Sequence, residues 1–203
     1  ILIFFTSLLI IFFSFTANFG NRVLKSKLLG FLSTLSISGY AIPGIIISVS
    51  IISFFSIISN YFNINLKSVF IGTFLGLIIG YFFRFYSISF NSIKSNYLKI
   101  NYSIDESAYL IGFNKFTMFS KVHWPILKKN VFFIFVLIAI EILKELPITL
   151  ILRPFNFDTF SSKAYQFASQ DLIEAASIPS MFLIFWSSIL ILISYKYFFE
   201  IKK

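Results

Sequence analysis

The 203-residue sequence predicts an all-α membrane protein of about five transmembrane helices, with one long polar loop folded as a cytoplasmic helix-turn-helix. Three observations carry this. Hydrophobic residues make up 58% of the chain and charged residues 12%, with a mean hydropathy of +0.88, which is too apolar for a water-soluble domain. Apolar runs near the roughly 20 residues needed to cross a bilayer recur along the chain. The Lys and Arg residues, 17 against 8 Asp and Glu, lie between those runs and concentrate in alternate connections. The formal charge of +9 therefore reads as membrane topology. Basic residues never form one block with interleaved stacking positions, so the expected partner is the lipid bilayer and not nucleic acid. With no cysteine, a disulfide framework and thiolate metal sites are excluded.

The first span is the uncharged run 1–19, closed by Gly20, Asn21, Arg22, Lys25 and Lys27, a basic turn that places this end in the cytoplasm. The chain opens at Ile1 with neither an initiator Met nor a basic segment before the apolar run, so it reads as a fragment and not as a signal peptide. Residues 28–66 carry no charge and are too many for one span, and Gly39-Tyr40-Ala41-Ile42-Pro43-Gly44 interrupts them. This predicts a short interfacial helix before the break and a second span over 41–58. Asn60, Asn63, Asn65 and Lys67 form an outer polar turn, and a third span follows over 68–85, with Arg84 snorkelling to the interface. The polar stretch 91–130 holds six lysines against Asp105 and Glu106 and is placed inside. A fourth span over 131–152, an outer loop over 153–177 and a fifth span over 178–197 complete a single transmembrane domain over 1–203. Lys202 and Lys203 then mark a cytoplasmic C-terminus, and only Lys67, Arg153 and Lys163 fall outside.

Within the polar stretch, Ser103 and Glu106 have the spacing of a capping box, in which the hydroxyl and the carboxylate each satisfy a backbone N–H at a helix start. The helix runs to Ile111 and stops at Gly112, a residue free to take positive φ. A second short helix over 115–122 is ended by Pro125. His123, the one histidine, is read as a packing or hydrogen-bonding residue and not as a metal ligand. No metal site is expected.

Glu141, Lys144 and Glu145 stand at i, i+3 and i+4 in the fourth span, on one helix face. Each costs about 2.5–3.5 kcal/mol at a bilayer centre, so that face is expected to turn inward, with Lys144 neutralising one carboxylate. An interhelical ion pair that fixes packing and a gate-lining role both fit. Pro147 removes one backbone bond beyond them and frees carbonyls to bend the helix or line a cavity.

The run Glu106-Ser107-Ala108, three residues, Gly112, nine residues, Val122-His123-Trp124-Pro125 resembles the EAA loop of binding-protein-dependent ABC importer permeases, which have the MetI-like, type I fold. Ser107, Val122 and Trp124 replace an Ala, an Ile and a Leu of that pattern. The resemblance implies that Glu106, Ser107, Ala108, Gly112, Val122 and Pro125 form a coupling loop docked on ABC ATPase subunits. The stretch Lys144-Glu145-Leu146-Pro147-Ile148-Thr149-Leu150, leading into Arg153-Pro154-Phe155-Asn156-Phe157-Asp158-Thr159, is similar to the ferric iron permease branch. So are Tyr40 to Gly44 and Lys163 to Ser169. That branch implies a C-terminal half fragment lacking one preceding span, a second permease half, a periplasmic substrate-binding protein and a bacterial inner membrane. Related branches carry thiamine, polyamines, phosphonates or sulfate.

By the same resemblance this chain is a transport subunit and not an enzyme, with ATP and Mg held by the partner ATPase and no cofactor of its own. It has no GxxxxGK[ST] phosphate loop. Two other classes compete: an ion-coupled secondary transporter that uses Glu141, Lys144 and Glu145 as a relay, and a membrane scaffold.

Overall fold

The computed structural model describes residues 1–24, 31 and 37–199. Lys25, Lys27, Lys202 and Lys203 lie outside the described residues, and so does most of the region of the expected interfacial helix, of which a short 3₁₀ turn at Ile37–Tyr40 is described. Helices α1 (Leu2–Leu24), α2 (Gly44–Phe62), α3 (Leu66–Phe70) and α4 (Phe74–Leu98) come first. They are followed by α5 (Tyr102–Leu110), α6 (Lys115–Met118), α7 (Trp124–Lys144), α8 (Pro147–Leu152), α9 (Phe160–Ser169) and α10 (Ile173–Phe199). Among the described residues there is no strand.

The bundle is arranged for lipid. On α1, Ser7, Ile11, Ser14 and Asn18 recur at helical spacing and are buried, while Phe4, Phe5, Phe12 and Phe13 face outward. Lipid tails are as apolar as these rings, so nothing drives the phenylalanines inward. Small polar residues take the interior because they let helices approach closely. Asn18 Nδ2 donates to the Ser14 carbonyl at 2.8 Å and to the Phe90 carbonyl of α4 at 3.1 Å. Around that contact Ile10, Phe15, Tyr81, Phe85, Leu127 and Ile138 join α1, α4 and α7 in one buried core.

Four helices, α1, α2, α4 and α10, are long and apolar enough to cross a membrane, against the five spans expected. The difference is α7, whose apolar centre is bracketed by Lys128 and Lys129 at one end and by Glu141 and Lys144 at the other. Span boundaries also move. The third span begins at Phe74, because Gly72 at φ +68° breaks the chain after α3 and the Thr73 side chain caps α4. It then runs on to Leu98, through the first part of the expected polar loop. Ile93 and Tyr97 are buried there while Asn91, Lys94 and Ser95 are exposed, so the stretch is an amphipathic continuation of the same helix.

The fourth span over 131–152 divides into α7 and α8 at Glu145. The last helix starts at Ile173, ahead of the expected 178, and contains Pro179. Pro125 ends nothing. Helix α6 passes through a π-helical turn at Phe119–His123 straight into α7, with the Trp124 N–H bonded to the Phe119 carbonyl. Pro125 has no N–H to donate, and it sits in the first turn of α7, where the change of register leaves no α-type bond to lose.

Candidate functional site

The first site is the loop α5–α6 and its anchor. Helix α5 begins ahead of the start that a capping box at Ser103 would give it. The N-cap is Asn101, whose Oδ1 accepts from the Ser103 N–H at 3.3 Å, and Ser103 lies inside the first turn. Asn is as good a cap as Ser. At the other end Gly112 takes φ +86°, its N–H reaches the Tyr109 carbonyl at 2.9 Å, and the Phe113 N–H reaches the Ala108 carbonyl at 3.0 Å. These two bonds are the Schellman pattern that closes a helix on a glycine. Asn114 then caps α6 through the Thr117 N–H at 2.8 Å.

Buried charge ties this loop to the bundle. Arg22 Nε lies 2.6 Å from Asp105 Oδ2, and the guanidinium also donates to the carbonyls of Tyr97, Ile100 and Asn101 at 2.8–3.1 Å. Its plane covers the Tyr102 ring at 4.5 Å. All three guanidinium nitrogens donate, and such further hydrogen bonds are the condition for a buried ion pair to be sustained. Fully buried His123 packs edge-on against Phe19, and its Nε2 lies 3.3 Å from Asp105 Oδ1, out of line for a hydrogen bond.

Burial pushes the His123 pKa below 6.5, and the nearby Asp105 carboxylate offsets this only in part. The unfolded chain binds this proton more readily than the folded one. The His123 contribution to stability is thus present above about pH 6.5 and is lost as pH falls through the lowered folded value. Thermal unfolding between about pH 7.5 and about pH 5 is expected to show an acid-side loss that shrinks in His123→Gln. An identical loss in the variant would remove His123 from this role.

The loop also presents a surface that neither the bundle nor its own helices cover. Leu110, Ile111 and Phe116 are 89%, 72% and 78% exposed, beside exposed Tyr109 and Gly112. Glu106, Ser107 and Pro125 are exposed too, Val122 is half-buried, and Ala108 is buried against the body of the protein. An exposed apolar patch of this kind marks a contact surface for a protein or for a membrane.

The second site is the break between α7 and α8. Lys144 is the last residue of α7 and holds Glu141 at 2.7 Å, with Lys144 57% exposed. Glu145 does not share their face. It has left the helix for an extended conformation, and its Oε2 lies 3.2 Å from Arg84 Nε in the middle of α4. Arg84 therefore does not snorkel to an interface. It points into the protein, donates to the Ile42 carbonyl at 2.8 Å and lies over the Tyr40 ring.

The Glu145 carbonyl, just past the end of α7, accepts from Thr149 Oγ1 at 2.8 Å and from Ser161 Oγ at 2.9 Å. Tyr81 bonds Thr149 Oγ1 at 2.6 Å. The break can sit this deep because glycines face it. A Cβ on Gly44 would fall 2.9 Å from Glu145 Oε1, and one on Gly80 would fall 2.7 Å from Ile148. Arg153 pairs with Asp158 at the far end of α8, and Thr159 and Ser162 form the capping box of α9. A mainly apolar cavity of about 960 Å³ opens beside this segment, lined by Tyr81, Ile142, Phe157 and Lys163 among others.

Among the described residues no three His, Cys, Asp or Glu side chains are grouped to hold a metal ion. The sequence reading singled out Glu141, Lys144, Glu145 and Pro147 but missed Arg84 as the partner of Glu145, and Arg22 as the partner of Asp105. The one signal was Arg84 itself, a charge inside an apolar run.

Fold and sites together define an all-α chain of multi-pass membrane type, with a broken helical segment at one site and an anchored polar loop at the other. It is similar to the Fe(3+)-transport system permease protein FbpB 2 of Haemophilus influenzae, at 25% identity over 161 residues, a distant homology to a transport permease. The match covers 79% of this chain and 30% of that protein, so the chain spans less than a third of its relative's length. No family model matches the chain.

Proposed function

We propose that the chain is a permease subunit of an ATP-driven ABC-type importer in a bacterial inner membrane, and that its cargo is ferric iron released by a periplasmic binding protein. The observation that carries the reading is the uncovered apolar patch of Leu110, Ile111 and Phe116 on a loop braced by Arg22 and Asp105. Such a loop transmits force from a partner only if it is rigid at its root and apolar at its tip. In this reading ATPase subunits, which hold ATP and Mg, seat on that tip from the cytoplasm, and a second permease half completes the path. Their closure drags the loop and, through Arg22, tilts α1 and α4 as one body. The break at Glu145 is the element along the path that yields. Support for iron as cargo is the likeness to the iron-system permease and the segment from Lys144 to Thr159.

The test is Gly112→Val. At φ +86° a β-branched residue is strained by about 1–3 kcal/mol, and the Schellman closure unwinds. Co-purification of the ATPase and radiolabelled iron uptake are both expected to fall, while membrane insertion stays intact. Unchanged ATPase capture would sink the docking assignment. Retained capture with uptake of another solute and not iron would sink the cargo alone.

A further inference from the structure

A groove of about 750 Å³ lies between α4, α7 and α10 near the loop end of the bundle, and neither proposed site uses it. Its walls differ in character. Helix α4 contributes a stripe from Asn91 through Ser95 and Asn96 to Lys99, about 12 Å of helix at 1.5 Å per residue. Opposite it stand Phe133, Ile134 and Leu137 of α7 and Ile191 of α10, with Ser194 and Tyr195 of α10 toward the lysine end.

Polarity also changes along the length. Lys99, Asn96 and Asn130 gather where the helices meet the loops, while Leu137 and Ile191 lie deeper. No acidic side chain lines the groove among the described residues. Lys128 and Lys129 precede Asn130 at the same end, and Lys99 and Lys128 are exposed.

The stripe lies on a helix of membrane-crossing length, where polar groups are costly to leave against acyl chains, and of its amides Asn96 is already bonded to the Ser92 carbonyl at 2.9 Å. The occupant must bring anionic oxygens to the lysine end and hydrocarbon to the deep end. We infer that this groove binds an anionic glycerophospholipid of the adjoining leaflet, with its phosphate at Lys99, Asn96 and Asn130 and its acyl chains along Phe133, Leu137 and Ile191. The lysine contributes attraction of the kind basic residues show for anionic membrane surfaces, and the amides donate to phosphate and ester oxygens. The inference rests on the chain lying in a membrane and not on the identity of its cargo or ATPase, so its failure leaves the transport reading standing.

The experiment uses the full chain reconstituted in vesicles of mixed phosphatidylglycerol and phosphatidylcholine, extracted gently and weighed with its retained lipid by native mass spectrometry. Phosphatidylglycerol is expected to be retained and phosphatidylcholine lost. Lys99→Gln is expected to lower retention by roughly fivefold, and Lys67→Gln at the opposite end to leave it unchanged. Equal retention of the two lipids by the unaltered chain overturns the site, whether or not the variant folds. Displacement of the retained lipid by inorganic phosphate would assign a free-anion site instead. A photo-crosslinker at Phe133 is expected to give lipid adducts, and a polypeptide adduct would show that a protein partner fills the groove.

Discussion

Arg22→Met is expected to destabilise the folded chain by about 3–5 kcal/mol, the cost of stranding one half of a buried ion pair. The loss falls on the loop first. Asp105 would be left against fully buried His123 with no guanidinium beside it, and the carbonyls of Tyr97, Ile100 and Asn101 would lose their donor. Proteolysis and hydrogen exchange should therefore open residues 101–114 before the α1–α4 core. The paired variant Arg22→Met, Asp105→Leu should recover most of the stability, because it removes both charges together and replaces them with apolar groups. A single variant as stable as the parent chain would mean that the loop is held by its apolar packing and its caps.

Arg84→Met should cost a similar amount, again about 3–5 kcal/mol, by leaving Glu145 at 7% side-chain exposure without a counter-charge. It also releases the Ile42 carbonyl and so frees the segment that enters α2. The informative case is the double variant Arg84→Met, Glu145→Gln. Stability should return, because the neutral amide oxygen introduced by Glu145→Gln can still accept from the Ile148 N–H, as Glu145 Oε1 does at 3.3 Å. Uptake should not return if the ion pair is the contact broken and remade as the α7–α8 break moves. Transport at the parental rate by the stabilised double variant would reduce the pair to a packing device.

The candidate sites were only partly readable. The turn at Gly112 was legible because positive φ is a local property of one residue, and the Glu141–Lys144 pair because i, i+3 spacing brings two side chains together on any α-helix. Glu145 was misplaced by the same rule. The spacing argument holds only while the helix continues, and here the helix stops one residue before it. Ser103 failed as a cap because two adequate cap residues, Asn101 and Ser103, stand close together and local preference does not select between them.

The sequence by itself determined that this chain belongs in a bilayer, roughly where its helices run, and where a loop carries turn chemistry, since apolar length, charge distribution and backbone preference act locally. Tertiary structure decided which charges meet. Arg22 finds Asp105 from 83 positions away, and Arg84 of α4 finds Glu145 at the end of α7. Such pairings depend on the rotation and depth of each helix in the bundle. Those are set by close packing of small residues such as Gly44 and Gly80 against a broken segment, and no local pattern encodes them.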